Sequence, residues 1–195
     1  MQSFAAKTVL IRNITALQKE NASLTAQVVN LQTRPERIEV EEVGLIKASV
    51  YSRYLSSTAS KLLINAGQKH GVEEGDYVFA NPFIILGIVE KVEKSHSIVR
   101  TIFDNGWEIP VKIGAQNTDA LLVSGAQPRL TTISKSKQVD LGDPVVSAGI
   151  VLPYGFTIGI VEEVIEQKEE LFRQGKVRFP YNLSELSQVY IQPKE

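Results

Sequence analysis

Cysteine is absent from all 195 residues. A thiol nucleophile, a disulfide framework and every cysteine-based metal site are thereby excluded. Histidine is nearly absent too. His70 and His96 are the only two, and they stand too far apart for a ligand spacing, so no cofactor or metal is expected. Neither sign of charge is in excess: the formal net charge is -1. A nucleic-acid partner, which needs a basic face, is not expected. No run approaches the roughly 20 apolar residues of a membrane-spanning helix. The opening, MQSFAAKTVLIRN, lacks the apolar segment of a signal peptide. The glycine-rich stretch GQKHGVEEG lacks the Lys-Ser/Thr ending of a phosphate loop. With no pocket motif of this kind, no small-molecule substrate is expected.

What is present is an ordinary folded composition, 43% hydrophobic and 22% charged. The length suits one large or two small domains. The first segment reads as a helix. Leu10, Leu17, Leu24 and Leu31 recur every seven residues, and Ile14, Asn21 and Val28 follow the first three by four. This is a heptad with leucine at d and Ile, Asn, Val at a, the pattern of a parallel two-stranded coiled coil. A buried amide such as Asn21 is best satisfied by its twin and so fixes register. These seven residues are the expected dimerisation seam of a homodimer. Pro35 ends the helix, because the residue before a proline disfavours helical backbone.

The remainder reads as β. Period-two alternation and Gly/Pro/Asn/Asp punctuation place strands near 43–51, 61–65, 76–80, 84–93, 97–103 and 107–113. A second set falls near 119–125, 129–133, 143–147, 156–164, 175–181 and 187–192. The sets match element by element. GDYVFANPFIILGIVEKV and GDPVVSAGIVLPYGFTIGIVEEV both begin Gly-Asp-X-Val and end Gly-Ile-Val-Glu-X-Val. The closing segments WEIPVKI and SQVYIQP also correspond. The fold class expected is mainly β: a coiled-coil helix (1–34) followed by two six-stranded barrels (35–114 and 115–195). An exchange of strands near the 114/115 boundary is left open. Gly71, Gly75 and Gly142 supply tight turns that Asp76 and Asp143 can cap. Gly87 and Gly159 lie inside strands, where glycine marks a bulge or a barrel corner.

Two small β-barrels in tandem are also the architecture of chymotrypsin-type proteases, so a Ser/His/Asp set must be sought. The candidates are Ser147 in VVSAGI, His70, His96 and Asp104 in IFDNGW. Both histidines fall in charged turns, Ser147 lacks a glycine-rich oxyanion loop, and Asp104 precedes an Asn-Gly turn. The set is not expected to converge. The adjacent pairs Glu73-Glu74, Glu162-Glu163 and Glu169-Glu170 point to opposite faces if they lie on strands, so they form no acid/base pair. Trp107, Tyr154 and Phe156 are candidates for an exposed partner surface, although aromatics more often serve core packing.

The order of parts resembles the rod shape-determining MreC family. The matching motifs are the apolar strand Leu62–Ile64, Gly67 to Val72, Gly75 to Val78, and Gly87 to Val92. The later motif GDPVVSAG, ending at Gly149, and PYGFTIG, containing Gly155 and Gly159, complete it. The resemblance implies a non-catalytic scaffold at the outer face of the bacterial cytoplasmic membrane or in the periplasm. It implies a homodimer that links an MreD-like membrane protein to the class B penicillin-binding transpeptidase of elongation. Members carry a membrane-spanning helix before the coil, and no such run occurs in this sequence. Two other readings stand beside it: a double-barrel serine hydrolase, and an unrelated coiled-coil adaptor.

Overall fold

The computed structural model describes residues 44–55, 60–166 and 169–194. The expected coiled-coil helix, with Leu10, Ile14, Leu17, Asn21, Leu24, Val28 and Leu31, lies outside the described residues. Twelve strands follow the sequence alternation: β1 (Ile46–Leu55), β2 (Ser60–Ile64), β3 (Tyr77–Asn81), β4 (Ile84–Val92), β5 (Ser97–Thr101) and β6 (Glu108–Ile113) come first. β7 (Thr118–Val123), β8 (Arg129–Ser134), β9 (Pro144–Ser147), β10 (Thr157–Ile165), β11 (Phe172–Arg178) and β12 (Gln188–Gln192) complete the set.

The strands pair in two closed rings. Barrel 1 runs β4-β3-β12-β1-β2-β5, with β5 returning to β4. Barrel 2 runs β10-β9-β6-β7-β8-β11, with β11 returning to β10. The sequential division at 114/115 is therefore corrected. β6 leaves the first half and closes barrel 2 between β7 and β9. β12 leaves the second half and closes barrel 1 between β1 and β3. The cause lies in the link after β5. Ile102 and Trp107 are buried in the core cluster of barrel 2, with Phe103 packed against it, so the chain is drawn across before β6 begins. Each closing strand offers the same alternating face. Ile109, Val111 and Ile113 point into one core, and Val189 and Ile191 into the other.

The repeat extends to the irregularities. β4 carries an extra residue at Leu86 against β3 and another at Glu90 against β5. β10 carries extra residues at Ile158 against β9 and Glu162 against β11. Such bulges bend a strand and raise its twist, which a small barrel needs to close. Gly87 and Gly159 each follow the first bulge. A Cβ on Gly87 would lie 2.0 Å from the Arg100 carbonyl oxygen. One on Gly159 would lie 2.6 Å from that of Arg178. Close strand approach therefore requires glycine at both corners.

The barrels share a buried seam. β3 turns Val78 into the core of barrel 1 and Phe79 into the cluster built on barrel 2. Tyr190 of β12 and Ile88 of β4 pack on the same cluster. A single parallel pairing, Thr157 with Ile84, joins the two rings into one sheet. No helix among the described residues is long and apolar enough to cross a membrane.

Candidate partner-binding site

The polar candidates are engaged in local structure. Ser147 ends β9 and is fully buried. Its hydroxyl donates to the Pro153 carbonyl and accepts from the Phe156 N–H at 3.1 Å. Asp104, also buried, accepts from the Ser60 N–H at 3.0 Å and from Arg100 Nε at 2.7 Å, tying β2 to the end of β5. His70 lies in the turn after β2, where its Nδ1 accepts from the Gly67 N–H at 3.1 Å. His96 lies in the β4–β5 turn, where its carbonyl accepts from the Glu93 N–H at 2.9 Å. Ser147 and Asp104 thus bond neither histidine nor each other. Among the described residues no group of three metal-ligating side chains occurs.

The aromatic candidates divide. Trp107 is 7% exposed, and the Arg100 guanidinium carbon sits 4.6 Å from its ring centroid. This cation–π stack seals the ring from solvent. Phe156 is half-buried and tilts against Phe79 with centroids 4.9 Å apart. Both serve packing. Tyr154 alone of the three is exposed, at 64%.

Tyr154 belongs to the β9–β10 connection, the main place where the two repeats part. The β3–β4 turn of barrel 1 spans two residues, 82 and 83, whereas the β9–β10 loop spans nine, 148 to 156. The longer loop is nonetheless fixed. Leu152 is buried in the barrel 2 core cluster. The Ala148 N–H donates to the Pro110 carbonyl at 3.0 Å, and the Gly155 N–H to the Ser147 carbonyl at 2.9 Å. Gly149 and Gly155 turn the chain at φ +86 and +84, values that L side chains rarely adopt. With Leu152 turned inward, Ile150 is left 78% exposed, alongside Val151 and Tyr154. The pairing of Thr157 with Ile84 sets Phe83, also exposed, beside the loop's exit. Apolar side chains held outward on a fixed loop make an exposed apolar patch of the kind that protein–protein contacts use.

Residues missed from the sequence are Ile150, Val151 and Phe83. The signal was there: a glycine-flanked apolar run, GIVLPYG, fills a connection rather than a strand. A second exposed pair, Tyr51 and Tyr54, lies on β1, where a bulge between Val50 and Ser52 turns Tyr51 outward.

Against known proteins, the barrel core of the rod shape-determining protein MreC matches residues 50–193. No curated protein sequence matches the chain. Among solved structures, MreC from Pseudomonas aeruginosa is 20% identical with a TM-score of 0.66, covering 75% of this chain and 97% of that one. MreC from Listeria monocytogenes is 19% identical with a TM-score of 0.66, covering 93% and 90%. A complex between a penicillin-binding protein, PBP2, and MreC from Helicobacter pylori aligns with a TM-score of 0.57 at 14% identity, covering 77% and 98%. At these identities the structures speak for the fold. The match over 50–193 carries the assignment, and the chain belongs to the rod shape-determining MreC family.

Proposed function

We propose that this protein is a non-catalytic scaffold of bacterial cell elongation, positioned outside the cytoplasmic membrane, that organises peptidoglycan synthases. Its direct partner in this reading is a class B penicillin-binding transpeptidase, and an MreD-like membrane protein is the link inward. In this reading the heptad segment 1–34 pairs two copies. Family membership supports the shape-determining role, and the Helicobacter pylori relative was solved together with PBP2. The observation that carries the surface assignment is the β9–β10 loop, which extends one repeat by apolar, outward-facing residues.

The test is binding to the elongation transpeptidase of the same organism, measured with the intact chain. Ile150→Glu places a charge at the centre of the surface and should abolish capture. Because Ile150 is exposed, the melting temperature should not change. Undiminished capture by Ile150→Glu refutes this surface.

A further inference from the structure

We infer that the buried Ser147 hydroxyl is a latch that holds the β9–β10 loop in its binding shape, making Ser147 a positioning residue for the partner surface. The inference rests on the docking reading above. Five hydrogen bonds join Ser147 to residues 153–156. Two are backbone bonds: its N–H donates to the Phe156 carbonyl at 2.9 Å, and its carbonyl accepts from Gly155 at 2.9 Å. These continue the β9–β10 pairing and need no particular side chain. The other three belong to the hydroxyl, which donates to the Pro153 carbonyl, with the Phe156 carbonyl also in reach at 3.3 Å, and accepts from the Phe156 N–H. A hydroxyl is suited to this place because it can donate and accept at once.

The repeat supplies an internal control. Counting from Gly-Asp, Gly75 and Asp76 correspond to Gly142 and Asp143, and Val78 to Val145. The strand register agrees, since Val78 pairs with Gly87 and Val145 with Gly159. By count Ala80 corresponds to Ser147, but β3 slips by one residue between Phe79 and Asn81, so that Asn81 is the residue facing Ile84. Barrel 1 closes its two-residue turn from Asn81, whose Oδ1 accepts from the Phe83 N–H at 3.1 Å, and carries no hydroxyl at either position. Serine stands where the turn has grown to nine. The hydroxyl is accordingly a requirement of the loop and not of the barrel. Removing it leaves the Pro153 carbonyl and Phe156 N–H without their partner, and frees the segment that carries Ile150 and Tyr154.

The experiment uses the full chain and the class B transpeptidase. Ser147→Ala should weaken binding about tenfold, the worth of one or two lost hydrogen bonds. The Phe156 amide should exchange faster with solvent while amides of β6 and β7 keep their protection. Ser147→Thr, which keeps the hydroxyl, should restore both readouts. Gly155→Ala reaches the same end by another route. Its Cβ meets nothing within 4 Å but cannot easily hold φ +84, so the loop deforms without touching the core. If Ser147→Ala binds like the parent while Ile150→Glu does not bind, the latch is overturned and the docking surface survives. If Ile150→Glu binds like the parent, the surface itself falls and the latch with it.

Discussion

Ile191→Ala tests the exchange of closing strands. Ile191 is fully buried in the core of barrel 1, between Ile46 of β1 and Val78 of β3. Truncating a buried isoleucine costs about 2–5 kcal/mol, at the upper end where the cavity cannot collapse. A barrel closed by backbone pairing on both sides of β12 has little freedom to collapse, so about 4 kcal/mol is expected. At roughly 2–4 °C per kcal/mol for a protein of this size, the melting temperature should fall by about 8–16 °C. Hydrogen exchange then locates the damage. The amides of Leu62, Val78 and Val99 should lose protection, while those of Leu122, Leu130 and Val145 keep most of theirs. The counterpart is Ile109→Ala in β6, equally buried, which should loosen the second group and spare the first. If Ile191→Ala instead releases β7 to β9, the strands are not exchanged and the closure argument fails.

Both in-strand glycines should resist substitution, and unequally. Gly87→Ala meets backbone at 2.0 Å and should cost about 3 kcal/mol in urea unfolding. Gly159→Ala meets a carbonyl at 2.6 Å and the movable Val177 Cγ1 at 2.7 Å, so about 1–2 kcal/mol is expected. Equal stabilities for the two variants and the parent would show that the corners tolerate a side chain. Tyr181→Phe should raise stability by up to about 1 kcal/mol at neutral pH, because the Tyr181 hydroxyl is buried without a partner. Burial holds that phenol far above its ordinary 10.0 in the folded state. Above pH 10.0 the unfolded chain releases the proton first, so stability declines with rising pH, and the phenylalanine variant should decline less steeply in alkaline unfolding curves. Removing residues 1–34 should convert a dimer to a monomer by light scattering, and Asn21→Val should strengthen the coil while relaxing its oligomeric state. Equal masses with and without the segment would dismiss the coil.

Local patterns were legible because their causes are local. Leu62, Ile64 and Val99 alternate with half-buried neighbours, and that period marks strands without reference to anything distant. The Gly-Asp turns were equally readable: Asp76 accepts from the Glu73 N–H at 2.8 Å, and Asp143 repeats this with Asp140 at 2.9 Å. The identity of a strand's neighbour is a different matter. Val189 and Ile191 suit barrel 1 as well as Ile109 and Val111 would, so alternation specifies a buried face without naming the barrel that receives it. The same holds for aromatics. For Trp107 the sequence left both a partner surface and core packing open, and Arg100, seven positions earlier, closes over the ring. Ser147 could be set aside as a nucleophile from the sequence, but its structural task could not be read there, because sequence shows a hydroxyl and not the carbonyl that accepts from it.

The exchanged closing strand sets an order on the birth of the molecule. Ile46 waits for Ile191, which is made 145 residues later. Barrel 2, spanning 108 to 178, has all six of its strands before β12 is synthesised. During vectorial emergence the inner barrel can therefore close first, while β1 and β3 stand with unpaired edges until the C-terminus arrives. Such edges are templates for association with other chains. The N-terminal barrel, though made first, is completed last. A chain that stops short of residue 188 would present a finished barrel 2 beside an open and aggregation-prone barrel 1.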